Sequence, residues 1–195
     1  MNASPIGILL AAGRGRRFDP LGQRNKLLQT LPDGDAVVVA SARKLLSLFD
    51  TVIAVVPPDD GGVGALLSSL GCEVTVCSDA DTGMAASLVH ALRHSLSYDP
   101  QAWLVALGDM PHVAPATLRL LADALASGAG IAAPLMDGRR GNPVGFGRVH
   151  LDALLALRGD QGARGLLQAC AVTDIAVPDP GILRDVDVPD DLTAD

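Results

Sequence analysis

Three almost wholly apolar runs constrain this chain more than any other feature: IGILLAA at 6–12, TVIAVV at 51–56 and AWLVAL at 102–107. Each stops at a breaker, Gly13, Pro57-Pro58 and Gly108-Asp109 respectively. A stretch that is apolar at every position has no side to offer to water, so it reads as a strand covered on both faces. Helical spacing fills the intervals. Val38, Ala42, Leu45, Leu46 and Phe49 share one face of a helix expected at 35–48. A glycine-started helix is expected at 61–70 and a short strand at 73–77. Met84, Leu88, Leu92 and Leu96 recur every four residues on a third expected helix. Pro115 suits the first turn of a fourth, with Leu118, Leu121 and Leu125 turned inward.

Further strands are expected near 130–134, 143–146, 172–177 and 183–186, and helices near 148–157 and 162–169. Strands alternating with helices predict an α/β chain: a single-domain, Rossmann-like, three-layer α/β/α sandwich around a mostly parallel sheet. A length of 195 residues suits one domain, and no repeat or long linker divides it. Ligands of such sheets gather at the carboxyl ends of the strands. That rule selects three places: after Ala12, after Leu107 and around Asp187.

The formal charge is -7, a field that repels nucleic acid and anionic membranes, so neither is expected as a partner. A polyanionic ligand then needs a local basic cluster, and Arg14, Arg16, Arg17, Arg24 and Lys26 supply one. No apolar run approaches the ~18 residues of a membrane span. The N-terminus shows no secretory leader pattern. Cys72, Cys77 and Cys170 are odd in number and lack CxxC spacing, which predicts reduced thiols in a cytoplasmic protein.

The basic cluster lies in LAAGRGRRFDPLGQRNK, from Leu10 to Lys26. Phe18 stands where a dinucleotide fingerprint needs its third glycine, and Leu27 stands where a P-loop needs Ser or Thr. The chemistry is still that of phosphate capture. Gly13 and Gly15 let successive backbone N–H groups point into one concavity. Arg17 offers a two-pronged contact to phosphate oxygens, and Lys26 a point charge where negative charge builds during transfer. A solvated loop whose arginines only aid solubility is the competing reading.

This stretch resembles the signature of nucleotidyltransferases of the molybdenum cofactor cytidylyltransferase type, broadly L-A-A-G-x-[GS]-x-R-[MF]-G…K-L. Leu10, Ala11, Ala12, Gly13, Gly15, Arg17, Phe18, Lys26 and Leu27 fall on the pattern. Asp19 departs from it, standing where the family has glycine, and Pro20, Leu21, Gly22, Gln23 and Arg24 lengthen the segment. The resemblance implies the nucleotide-diphospho-sugar transferase type of α/β sandwich.

Five further segments carry the same resemblance. Leu107-Gly108-Asp109-Met110-Pro111 matches G-D-M-P, which implies that Asp109 binds Mg2+, shared with substrate phosphates; a turn aspartate capping the next helix is the alternative. DVDVPDDL at 185–192 resembles D-[IV]-D-T-P-E-D-L, and its metal-facing position falls on Asp187, with Asp185 on the same strand face. Asp190 and Asp191 read as caps of a last short helix. DTGMAAS at 81–87 resembles G-M-x-x-S-L, which sets Gly83 and Ser87 against the base and ribose. RGNPV at 140–144 and GDQGAR at 159–164 resemble the acceptor side, which implies roles there for Arg140, Asn142 and Arg164; plain turn chemistry is the alternative. His90 and His94 share a helix face without a third ligand and read as surface residues.

By resemblance the donor is CTP, because relatives using guanine nucleotides show L-A-G-G where this chain has Ala12. The implied acceptor is molybdopterin carrying molybdenum, the metal Mg2+, and the client a molybdenum hydroxylase apo-enzyme of the xanthine dehydrogenase kind. GTP as donor, or a sugar or alcohol phosphate as acceptor, stays open. So does a non-catalytic accessory that holds the cofactor for insertion, or a regulatory nucleotide-binding domain.

Overall fold

The computed structural model describes residues 5–13, 15, 17–159 and 162–193. Eight strands form one sheet: β1 (Ile6–Leu10), β2 (Val52–Val56), β3 (Glu73–Val76), β4 (Ala102–Leu107), β5 (Ile131–Met136), β6 (Arg139–Arg140), β7 (Val144–Gly147) and β8 (Thr173–Ala176). Their order is β3-β2-β1-β4-β7-β5-β6, and β8 pairs with β5. β1 lies parallel to β2 and β4, β2 to β3, and β5 to β8. β7 runs antiparallel between β4 and β5, and β6 antiparallel beside β5.

The apolar runs are strands for the reason their composition suggests. Leu9, Ala54, Val56, Leu104 and Ala106 face one core. Ile8, Ile53, Val55, Trp103 and Val105 face the other. The period of two in a strand thus divides a continuous apolar run between two faces. The first core is closed by α1 (Val37–Leu46), α2 (Val63–Leu70) and α4 (Pro115–Ala126). The second is closed by α3 (Met84–Ser95), α5 (Leu151–Leu155) and α6 (Arg164–Ala169). This is the three-layer α/β/α sandwich, with a mixed sheet that is mostly parallel.

Two expectations are corrected, the strand at 183–186 and the helix at 148–157. Residues 183–186 do not form a strand. Asp179 accepts from the Gly181 N–H at 3.0 Å and Pro180 opens a 3-10 turn over Pro180–Leu183. The chain beyond is extended but meets the sheet end through a bond from the Val186 N–H to the Asp109 carbonyl, 2.8 Å. Met84 does not face inward with Leu88 and Leu92: it is 48% exposed, because Gly83 at φ +129° starts α3 at the rim of a cleft. The helix expected at 148–157 is divided into a 3-10 turn at Arg148–His150 and α5.

Candidate active site

The carboxyl ends of β1 and β4 lie side by side, because Gly108 donates to the Leu10 carbonyl at 2.9 Å. A Cβ on Gly108 would come within 3.2 Å of that carbonyl, so glycine permits the approach. A cleft of about 460 Å³ opens there. Leu10, Ala12, Gly13, Gly15, Lys26, Gly83, Ser87 and Asp109 line it, drawn from three segments far apart in sequence. Ala11 is the exception among the expected nucleotide-site residues: it is buried in the core beneath the loop. Ala80, Asp81, Met84 and Leu107 line the cleft as well, and only their neighbours in the motifs signalled them.

The loop after β1 has a definite internal order. Gly15 takes φ +59°, and a Cβ on it would meet Lys26 Cγ at 3.2 Å, so the loop lies on the lysine stem. The Gly15 carbonyl accepts from Phe18 at 2.9 Å and Asp19 at 3.1 Å. Asp19 is 9% exposed, and its carboxylate accepts from the N–H groups of Leu21 at 3.0 Å, Gln23 at 2.8 Å and Arg24 at 2.7 Å. The bond from Arg24, with help from Leu21 and Gln23, holds its carboxyl below the usual aspartate range against the cost of desolvation. Arg24 lies 5.5 Å from the centre of the buried Phe18 ring. Asn25 then accepts from the Leu27 N–H at 3.0 Å and caps the 3-10 turn Lys26–Leu28. Of the five basic residues in this loop, Arg14 and Arg16 lie outside the described residues.

Lys26 is buried, and its ammonium sits 2.5 Å from Asp109 Oδ2 and 3.6 Å from Asp187 Oδ1. The exposed Arg17 reaches Asp187 Oδ2 at 2.5 Å. Oxygens of Asp109, Asp185 and Asp187 all come within 4.8 Å of one another. Val186, fully buried between the two tail aspartates, turns both toward Asp109 although no strand forms there. Asp191 accepts from the Asp187 N–H at 2.7 Å and the Val188 N–H at 2.8 Å, capping the 3-10 turn Pro189–Leu192. Three hard oxygen donors beside this cleft fit a divalent cation such as Mg2+ or Mn2+.

The turn that carries Asp109 is gripped from behind. Ser41 donates to the Gly108 carbonyl at 3.1 Å, and the ammonium of Lys44 donates to the Pro111 carbonyl. Both side chains come from α1, and no motif signalled either. Burial pulls the Lys44 ammonium below its usual range, while Asp179 and Asp33 act the other way.

Arg140, Asn142 and Arg164 do not line this cleft. The Arg140 guanidinium is occupied by Asp174, at 2.5 and 3.0 Å. Asn142 sits behind the Asp109 turn in a small hollow with Ser41, Lys44 and Met110. Arg164 is exposed at the start of α6. Asp160 and Gln161 of the same motif lie outside the described residues. The flanking glycines pack toward the nucleotide side instead. Gly159 accepts from Ala85 at 3.1 Å, and a Cβ on Gly162 would meet the Met84 sulfur at 3.2 Å. His90 and His94 are half-buried rather than free on the surface; His90 pairs with Thr75 at 2.8 Å and His94 with Glu73 at 2.5 Å. No helix among the described residues is long and apolar enough to cross a membrane.

Residues 7–174 match the MobA-like NTP transferase domain, and the chain belongs to that family of nucleotidyltransferases. Purine catabolism protein PucB of Bacillus subtilis (strain 168) is 28% identical over 196 residues, covering 95% of this chain and 93% of its own. Rv0371c from Mycobacterium tuberculosis H37Rv is 30% identical with a TM-score of 0.81, over 96% of this chain and 95% of that one. Rv0371c is also known as a complex with manganese, 28% identical at a TM-score of 0.71 over 91% and 89% of the two chains. A nucleotidyl transferase from Methanothermobacter thermautotroptrophicus (Mth528) is 27% identical with a TM-score of 0.80, over 96% and 94%.

Proposed function

We propose that this single-domain chain transfers CMP from CTP to molybdopterin carrying molybdenum, with release of pyrophosphate. The observation that carries the reading is the meeting of Lys26 with the Asp109, Asp185 and Asp187 carboxylates beside a glycine loop and a cleft of about 460 Å³. A phosphate grip alone serves binding. A buried lysine and three oxygen ligands at its end serve transfer, which favours an enzyme over an accessory that only holds cofactor.

The acceptor phosphate is already anionic, so no protein nucleophile is required. Its oxygen attacks the α-phosphorus in line; the bond from that phosphorus to the bridging oxygen breaks, and pyrophosphate leaves with the electron pair. Gly13 and Gly15 hold the triphosphate through backbone N–H groups. Arg17 contacts phosphate oxygens, and Lys26 meets the charge that develops during transfer. Asp109, Asp185 and Asp187 would hold Mg2+, which neutralises phosphate charge when bound. The manganese complex of Rv0371c supports a divalent ion here. Gly83 and Ser87 line the base and ribose end, and Ala12, which faces the cleft, supports cytosine. Xanthine is a purine, so a relative named for purine catabolism fits a molybdenum hydroxylase of the xanthine dehydrogenase kind as client.

Pyrophosphate release with CTP, GTP, ATP and UTP, each with and without molybdenum cofactor, tests the reading. Release is expected with CTP and cofactor together. Release with GTP alone among the donors overturns the base assignment, and no release with any pair overturns transfer to molybdopterin.

A further inference from the structure

The carboxylate cluster borders more than the nucleotide cleft. Asp109 lines the cleft, whereas Asp185 and Asp187 line a separate hollow of about 330 Å³ together with His112 and Arg184. His112 also lines a third hollow of about 450 Å³, shared with Lys44, Pro111 and Leu31. His112 lines both hollows, and the two are called a trough, with the carboxylates on one side of His112 and Lys44 of α1 on the other. Burial, with Arg184 and Lys44 beside it, holds the His112 ring below the usual histidine range, while Asp33 acts the other way. The Nε2 atom of His112 is buried without a hydrogen-bond partner, a condition native structures rarely leave unanswered.

In-line displacement puts the attacking and leaving oxygens on opposite sides of the α-phosphorus. CTP in the cleft occupies one side of the carboxylates, so the acceptor has to arrive from another. The trough touches Asp185, Asp187 and Asp191 directly and brings the His112 imidazole and the Arg184 guanidinium to that acidic cluster, while Arg43 and Lys44 line its far end beside Asp33 and Asp35. Arg140 and Arg164 line neither of its hollows, and Asn142 does not either.

We infer that the acceptor enters along this trough, with its phosphate held by Arg184 and His112 beside the carboxylates and its body lying toward Lys44. His112, three residues beyond Asp109, then helps determine which phosphomonoester is accepted. The inference rests on the nucleotidyl-transfer reading but is independent of molybdopterin as the particular acceptor.

The test uses the full chain loaded with Mn2+ and CTP, with inorganic phosphate as probe and paramagnetic broadening of its phosphorus resonance as readout. The wild type is expected to broaden the phosphate line. Arg184→Gln and His112→Leu should each reduce that broadening at least about fivefold, a loss of ~1 kcal/mol in binding. His112→Gln should keep part of it, and Arg140→Gln should match the wild type. Circular dichroism reports whether a variant still folds, and broadening is read against a sample of Mn2+, CTP and phosphate without protein; should His112→Leu fail to fold, Arg184→Gln and His112→Gln decide. No broadening in the wild type, unchanged broadening in Arg184→Gln, or its loss in Arg140→Gln overturns the trough. Phosphate bound in the trough without turnover of molybdopterin overturns only the acceptor named above. Turnover of molybdopterin with an unchanged acceptor KM in Arg184→Gln and His112→Leu overturns only the trough.

Discussion

Lys26 and Asp109, 83 residues apart, meet at 2.5 Å between Nζ and Oδ2. The contact joins the loop after β1 to the turn after β4, the two strand ends that adjoin at the sheet centre. Lys26→Ala removes the charge aimed at the transferred phosphoryl and leaves Asp109 without its cation. The expected loss in kcat is about 10²–10³-fold, the size seen when one preorganised electrostatic group is removed from a transition state. Steady-state pyrophosphate release measures it. Near-normal kcat in both Lys26→Ala and Asp109→Ala would refute these roles.

The carboxylates make a separate prediction about metal. Asp109→Asn, Asp185→Asn and Asp187→Asn each replace an anionic oxygen with a neutral one. Each is expected to weaken Mn2+ binding at least about tenfold, read by the electron paramagnetic resonance of free Mn2+. Asp190→Asn is the control and should bind as the wild type does. A loss confined to Asp109→Asn would leave the tail outside the metal site.

Ser41 and Lys44 hold the Asp109 turn through its own carbonyls, so their effect should appear in metal affinity before stability. Lys44→Met keeps the stem and drops the bond to Pro111, and Ser41→Ala drops the bond to Gly108. Supporting contacts of this kind change affinity by about 10–100-fold. Mn2+ titration and thermal melting on the same samples separate the outcomes. A lower Tm with unchanged Mn2+ affinity would make these bonds part of the fold alone.

These contacts also mark where reading the sequence stops. β1, β2 and β4 were legible because burial on both faces leaves an apolar run with a breaker at its end. Asp109 was legible because the next residues, Met110-Pro111, complete a motif, and Asp185 because two-residue spacing puts it beside Asp187. Ser41 and Lys44 carry no local signal: each is one polar residue on a mostly buried helix, given meaning only by a turn 67 residues away. The expected strand at 183–186 failed because its apolar pattern ignores the Asp179 cap and Pro180, which curl the chain first. Met84 fitted the helical period, yet Gly83 brings the helix start to the rim of the cleft.

The thiols give a prediction that needs no substrate. Burial pushes the Cys72 thiol up to about 11 and raises Cys77 as well, helped by its hydrogen bond to Asp79. Both are buried, whereas Cys170 is half-buried. Thiolate is the reactive form, so at pH 8 only about one part in a thousand of Cys72 is competent. Ellman's reagent is expected to label Cys170 first in the native protein and all three cysteines in denaturant. Rapid native labelling of Cys72 would contradict its burial.

Asp19 stands where the signature that this loop resembles has glycine, and its role follows from what it accepts. Three backbone N–H groups, those of Leu21, Gln23 and Arg24, converge on one carboxylate, and the Asp19 N–H is itself bound by Gly15. The inserted residues are therefore wound around Asp19 rather than left loose, and they deliver Lys26 to the cleft. Asp19→Gly removes every side-chain acceptor at once. It should raise the KM for CTP more than it lowers kcat, and it should speed amide exchange at Gln23 and Arg24. Asp19→Asn keeps an oxygen but loses the charge and should fall between. The sign of the pH dependence follows from the lowered carboxyl pKa. The ionised carboxylate binds these amides better than the acid does, so the anchor is complete above the ordinary aspartate range. It is lost as pH falls through the lowered folded value. Hydrogen exchange measured on descending pH should show protection at Gln23 and Arg24 persisting through the usual aspartate range and failing below it. Protection that does not change with pH, or that survives Asp19→Gly, would mean that the Phe18 and Arg24 packing holds the loop without the carboxylate.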